Sequence, residues 1–387
     1  MNQGPPPVLR VCHVIHNLGR GGAERLLVEL ADVAPGVGID LSVVALMALP
    51  DDGYASDLRD RGVEVRSLGL ASRWDPRASR RLAREMARID PDLIHAHLKH
   101  ADMTVSAVAR RIGIPWVSTL HVIEDEVGLV GRLKRSLGAR ARTRASVTIA
   151  VSAALADWYR ETYPRASSRL RVLENGVAEP LPVSEVDRSE IRSSLGVGPG
   201  KVMAITIAIM RPKKGHDDLL DASILLAPEV PVSFVLAGSG PEEERLRNRA
   251  ARLDLPEGRV VFAGFREDVD DLLAAADMVV HPTHADALPT ALIHALGAAR
   301  PIIASDVGGV REVVGDDTGI LVSPGDPAEL ADAVETLVDD PDARRWMGKA
   351  GRERFDELFD SRVWVSRLRS LYDDVLSRPT KTKEGHR

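Results

Sequence analysis

Cysteine is almost absent. Cys12 stands alone among 387 residues, so no disulfide can form within the chain. It lies in the apolar run Leu9-Arg10-Val11-Cys12-His13-Val14-Ile15, where a buried strand thiol is expected, and the chain reads as cytoplasmic. Long apolar runs are missing too: nothing approaches the ~18 apolar residues of a membrane span. The N-terminal Met1-Asn2-Gln3-Gly4-Pro5-Pro6-Pro7 has no apolar segment of the kind a secretion signal needs, so any membrane contact is peripheral. A strong charge of one sign is also lacking. With 28% charged residues and a net charge of −6, the chain has no overall pull toward nucleic acid.

What is present suffices for two cores. Hydrophobic residues make up 44% of the chain, and its length suits two domains of roughly 180 residues with a cleft between them. Charge is locally uneven: Arg132, Lys134, Arg135, Arg140, Arg142 and Arg144 share one helical segment without an acid among them. Two readings of segment 132–144 stay open, a basic face lying on anionic lipid or a solvated face beside a phosphate-binding cleft.

Short apolar runs alternate with helical patterns throughout, the βαβ rhythm of a parallel sheet covered by helices. Strands are predicted near 9–15, 40–47, 64–68, 92–97, 115–120, 147–151 and 170–174, with helices near 23–33, 76–89, 101–111, 128–145 and 153–161. The proline-bearing stretch Ala178-Glu179-Pro180-Leu181-Pro182-Val183-Ser184 suits a connector, which sets the domains at 1–180 and 181–362. A second series follows, with strands near 201–208, 232–237, 259–263, 278–281, 301–304 and 319–322. Asp326-Pro327-Ala328-Glu329 supplies an N-cap, a first-turn proline and a capping-box glutamate. The last helix, 363–378, carries Trp364, Leu368, Leu371, Tyr372 and Val375 at helical spacing and needs a core to pack on. The polar tail 379–387 is expected to be disordered.

In open α/β sheets ligands bind beyond the carboxyl ends of the strands, so the loops there are the places to search. Gly19-Arg20-Gly21-Gly22-Ala23-Glu24 opens a helix after the first strand, and its glycines let backbone N–H groups approach an anion. It fits a dinucleotide fingerprint poorly, because Glu24 occupies the place of the third glycine and no acid ends the second strand. Ile209-Met210-Arg211-Pro212-Lys213-Lys214-Gly215 sets three cations at a strand end, which suits a diphosphate or simply a solvated loop. Gly238-Ser239-Gly240-Pro241-Glu242 permits close approach to a planar base, although any tight turn wants glycine.

The fourth loop runs from His281 through Pro282-Thr283-His284-Ala285-Asp286-Ala287-Leu288-Pro289-Thr290 to His294. Pro289 reads as the first residue of a helix, with the amides of Thr290 and Ala291 free at its positive end. Asp286 then either meets a ligand or caps that helix.

At this point the chain resembles glycosyltransferase family 4. The resemblance rests on ordered matches: Gly21-Gly22-Ala23-Glu24, Asp92-Leu93-Ile94-His95-Ala96-His97, Leu120-His121, Val151-Ser152, Glu174-Asn175-Gly176-Val177, Lys214-Gly215, Gly238-Ser239-Gly240-Pro241, Phe262-Ala263-Gly264 and Thr318-Gly319-Ile320-Leu321-Val322. It implies an α/β GT-B fold, two Rossmann-like domains with parallel sheets facing a central cleft. It also implies a retaining, metal-independent hexosyltransferase that uses a nucleotide sugar, UDP- or GDP-linked, and no other cofactor. The first domain would hold the acceptor, the second the donor, and the last helix would return to the first.

Carried over position by position, the resemblance gives catalytic roles to His121, Lys214 and Asp286. Gly22, Arg211, Lys214, Gly240, Phe265, Arg266, Leu288, Pro289, Thr290 and His294 become donor contacts, with Gly21 and His97 on the acceptor side. Two positions depart from the family pattern. Ile209 stands where an arginine is usual, and the family's pair of glutamates appears as Asp286 and His294. A neutral histidine offers one acceptor nitrogen to the ribose, at a cost of about tenfold in affinity or more. The alternative is a non-catalytic GT-B partner or scaffold subunit whose donor site has eroded.

No metal site is expected. Asp90-Pro91-Asp92 reads as a helix-to-strand turn, and His95 and His97 share one strand with no third ligand in view.

Overall fold

A computed structural model describes residues 7–72, 75–123, 128–181 and 184–377. The chain divides into two compact units, Met1–Gly176 with Ser361–Arg387, and Val177–Asp360.

The first unit is built on β1 (Leu9–Ile15), β2 (Ile39–Met47), β3 (Glu64–Leu70), β4 (Leu93–His97), β5 (Trp116–Leu120), β6 (Val147–Ala150) and β7 (Leu170–Val172). All pair in parallel, in the order β3-β2-β1-β4-β5-β6-β7. Helices cover both faces, so the strands are apolar on both. Alternate residues of β1 show this: Val11 and Ile15 enter one core, Cys12 and Val14 the other. Cys12 is fully buried, and burial pushes its thiol pKa up to about 12. Asp90 and Asp92 form the turn into β4, where Arg10 binds both, Nη1 to Asp90 at 2.9 Å and Nη2 to Asp92 at 3.1 Å.

The last helix, Ser361–Ser377, closes this unit. Trp364, Leu368, Tyr372 and Val375 are buried in the same core as Leu27 and Leu30, and each such side chain contributes roughly 1.5–3 kcal/mol. Arg369 fixes its level by donating to the carbonyls of Val37 and Gly38 at 3.1 and 2.6 Å.

The second unit holds β8 (Val202–Ile207), β9 (Val232–Ala237), β10 (Val260–Gly264), β11 (Met278–His281), β12 (Ile302–Ser305) and β13 (Gly319–Val322). They too are parallel, ordered β10-β9-β8-β11-β12-β13. The unit begins at Val177, not at residue 181, because Val177 pairs with Asp360 and donates to the Phe359 carbonyl at 2.9 Å. Arg352 holds Glu179 in the same region.

Several elements differ from the sequence-based expectation. Helices Ala55–Asp60, Glu185–Ser194 and Pro341–Arg354 were not predicted. The second of these buries no residue, so it carries no apolar stripe to read. Asp326 does cap its helix, accepting from Ala328 and Glu329 N–H, but Glu329 reaches back to Ser323 N–H instead of closing a capping box. The basic segment is not one open face: Arg142 is buried against Asp102 at 2.7 Å. Arg140 and Arg144 are exposed on the helix Gly128–Arg142 and just beyond it, with Leu133 and Leu137 also exposed. The side chains of Arg132 and Lys134, connector residues Pro182 and Val183, and the tail 379–387 lie outside the described residues. Among the described residues no helix is long and apolar enough to cross a membrane.

Candidate functional site

In the second unit the strand order reverses between β8 and β11, the position at which an open parallel sheet leaves a crevice. The loops leaving these two strands carry Lys214 and Asp286. Their side chains meet across the crevice, Lys214 Nζ to Asp286 Oδ2 at 2.5 Å. His281, the last residue of β11, places Nε2 3.4 Å from the same oxygen. Burial favours the neutral carboxyl, but His281 and Lys214 outweigh it and hold Asp286 at a pKa of about 2. Burial likewise lowers the pKa of His281, against the pull of Asp286, so a neutral imidazole donates Nε2–H to the carboxylate.

The two loops are stitched together. Lys213 carbonyl accepts from His284 N–H at 2.8 Å and from the Thr283 hydroxyl at 3.0 Å. Gly215 has φ 68°, and a Cβ there would lie 1.7 Å from the Pro282 carbonyl oxygen, so only glycine lets the loops close. Asp286 does not cap the following helix. That helix is Thr290–Gly297, and Pro289 sits in extended backbone at its N-cap instead of being its first helical residue. Among the described residues the amides of Thr290 and Ala291 have no acceptor, as expected for a helix start. Leu288 and Pro289, just before them, are buried.

The other predicted donor residues of this unit differ in exposure and partners. Arg211 is exposed at the loop after β8, and Ile209 is 44% exposed beside it. Gly240 is needed by the protein itself, since a Cβ would lie 2.5 Å from the Met210 carbonyl oxygen. Phe265 is 54% exposed, whereas Arg266 forks onto Asp268. His294 is buried, and its Nδ1 lies 3.3 Å from Asp270 Oδ1 on the helix Val269–Ala275. Asp270 was missed in the sequence, where it stands among Asp268 and Asp271 with nothing to mark it as the neighbour of His294.

In the first unit the order reverses between β1 and β4. Gly21 caps the helix Gly22–Val33 after β1, and a Cβ on Gly22 would meet open space. His13 on β1 stands beside His95 on β4, and His121 follows β5. His97 is not open to an acceptor: it is buried, and its ring nitrogens are taken by His13 Nδ1 and His121 Nε2, each at 2.9 Å. Next to it Leu98 adopts φ 68°, a left-handed conformation that costs a branched residue of order 1–3 kcal/mol.

His13 also supplies the neighbour that His95 and His97 lacked in the sequence, with nitrogens of the three within 4.8 Å of one another. The arrangement is wrong for one ion. His97 stacks on His95 with an interplanar angle of 25°, while His13 Nδ1 and His97 Nε2 face each other edge to edge in a hydrogen bond. The 2.9 Å separation of His13 and His97 is below the ~3.3 Å that two nitrogens of a tetrahedral zinc keep.

Comparison with known proteins agrees with this architecture. The family model described as Glycosyl transferases group 1 matches residues 187–354, and that described as Glycosyltransferase Family 4 matches residues 20–179. The alpha-maltose-1-phosphate synthase of Mycolicibacterium smegmatis is 30% identical over 296 residues, 69% of this chain and 75% of that one. The N-acetyl-alpha-D-glucosaminyl L-malate synthase of Bacillus anthracis is 28% identical over 314 residues, 78% of this chain and 80% of that one. In fold, Anabaena HepE in complex with UDP-glucose matches with a TM-score of 0.81 and 23% identity over 95% of this chain and 100% of that chain. The chain therefore belongs to glycosyltransferase family 4, enzymes of GT-B fold that transfer a sugar from a nucleotide donor.

Proposed function

We propose that this enzyme moves a hexosyl group, with retention, from a UDP- or GDP-linked sugar to a hydroxyl of its acceptor. The observation that carries the reading is the Lys214–Asp286 pair at the sheet reversal, beside the free Thr290 and Ala291 amides. A diphosphate presents two charges to a lysine that holds only one carboxylate, so it draws Lys214 over and frees Asp286 for a sugar hydroxyl. Arg211 and the helix mouth add positive potential where charge builds as the anomeric bond breaks. That cluster does the work a metal ion would otherwise do. The acceptor attacks from the face the diphosphate leaves, and its proton passes to a leaving phosphate oxygen, so no protein nucleophile takes part. His121 meets the donor sugar, and Gly22, open above its backbone, offers N–H to the phosphates.

His294 takes the ribose with Asp270 behind it. HepE, of the same fold, holds UDP-glucose in its crystal structure, which supports a uridine diphosphate donor. Calorimetric titration of the purified chain with UDP and with GDP tests the reading. Binding of one of them in the micromolar range is expected, and binding of neither would point to the non-catalytic alternative.

A further inference from the structure

Four histidines, one tyrosine and one threonine form a continuous hydrogen-bonded chain through the first unit. Thr119 Oγ1 lies 2.6 Å from His95 Nε2, and His95 Nδ1 lies 2.6 Å from the Tyr372 hydroxyl. That hydroxyl is 3.4 Å from His13 Nε2, the longest link. His13 Nδ1 reaches His97 Nε2, and His97 Nδ1 reaches His121 Nε2, both at 2.9 Å. Each ring thus uses one nitrogen toward either neighbour. His121, half-buried, has no partner for Nδ1 among the described residues.

A neutral imidazole has one N–H and one lone pair, and the buried Tyr372 proton has only His95 or His13 to go to among the described residues, so with every proton partnered the chain runs in one direction throughout. Burial keeps the rings neutral: it lowers His13 to a pKa of about 3 and His121 to about 4, and His95 and His97 also fall well below the ordinary value. The buried end decides the direction. Thr119 is 4% exposed, and its hydroxyl has no partner other than His95 among the described residues. A buried hydroxyl proton without an acceptor costs more than an unused lone pair, so Thr119 donates. His95 then carries its proton on Nδ1 and donates to Tyr372, Tyr372 donates to His13, His13 to His97, and His97 to His121.

We propose that Thr119, His95, Tyr372, His13 and His97 are positioning residues. They hold His121 as the Nδ1–H tautomer, so that it meets the donor sugar as a hydrogen-bond donor. The role of His121 at the sugar rests on the function proposed above; the tautomer does not. The relay also gives the returning helix Ser361–Ser377 a task beyond packing, because its Tyr372 joins His95 to His13 across residues 277 and 359 positions apart in sequence.

Nitrogen-15 spectra of the histidine-labelled protein read the tautomers directly. Nδ1–H is expected at His13, His95, His97 and His121. Thr119→Val and Tyr372→Phe keep the side-chain volumes, and each should leave His121 a mixture of tautomers. Both should also lower kcat for nucleotide-sugar hydrolysis about tenfold while KM stays within about twofold. Nε2–H at His121 in the native protein, or a His121 tautomer unchanged in both variants, would overturn the relay. His121→Ala separates the two ideas: turnover at the native rate in that variant would overturn the contact with the sugar, without bearing on the tautomers of the remaining rings.

Discussion

Lys214 and Asp286 are each other's partner at 2.5 Å, which gives two residues opposite charges and one shared place to put them. A pair only about a fifth exposed gains from Coulomb attraction but also loses hydration, so a ligand with more negative charge can compete for the lysine. The proposed ribose contact follows similar logic. Asp270 stands 3.3 Å from His294, so a glutamate introduced alone at 294 would meet a second carboxylate. His294→Glu combined with Asp270→Asn is therefore expected to tighten nucleotide binding about tenfold by calorimetry. Unchanged affinity would place the ribose elsewhere. Lys214, Asp286 and His294 could be singled out because strand, turn and helix follow one another within a few residues and match the family's spacing. His13 was not: it sits in an apolar strand and reads as core, and its partner His97 is 84 positions away in the sequence. Only the order of strands in the sheet brings the two together.

The strand-loop-helix segments owe their shape to glycine, yet for different reasons. Gly215 and Gly240 are demanded by neighbouring backbone, so substitution there disturbs the fold whatever the ligand. Gly22 has nothing within 4 Å of a built Cβ and opens the helix Gly22–Val33, where alanine is the better helix former by about 1 kcal/mol. Gly22→Ala should leave the melting temperature unchanged or higher while raising KM for the donor severalfold. An unchanged KM would remove Gly22 from the phosphate site. Strand positions were readable to within a residue or two, because parallel strands are apolar runs bounded by turn residues. The surface helix Glu185–Ser194 was not, since it buries nothing that would set a period. The capping box at Asp326 did not form because the Asp326 amide donates to the Ser323 carbonyl, and the glutamate accepts from the Ser323 amide instead.

Across the chain, buried neutral histidines set the response to acid. Burial lowers His13 to about 3 and His121 and His216 to about 4, with His95, His97 and His281 also lowered. Unfolded, each takes a proton near pH ~6.5. Between that value and the folded pKa the unfolded chain binds more protons, so stability contributed by these groups is intact above pH ~6.5 and declines as pH falls toward 4. Each steepens the decline by up to about 1.4 kcal/mol per pH unit. Urea midpoints measured at pH 7.5, 6 and 5 should fall steadily, and a flat profile would mean these rings are not held neutral. Asp286, held near 2, adds its own loss only at lower pH.

The proposed sugar transfer depends most directly on Lys214, the group assigned to the leaving diphosphate. A panel of nucleotide sugars, followed for nucleotide release with the native chain and with Lys214→Ala, measures this in one experiment. The native chain should turn over at least one of them, with kcat/KM lower by at least about a hundredfold in the variant. Near-native turnover by folded Lys214→Ala would contradict that assignment.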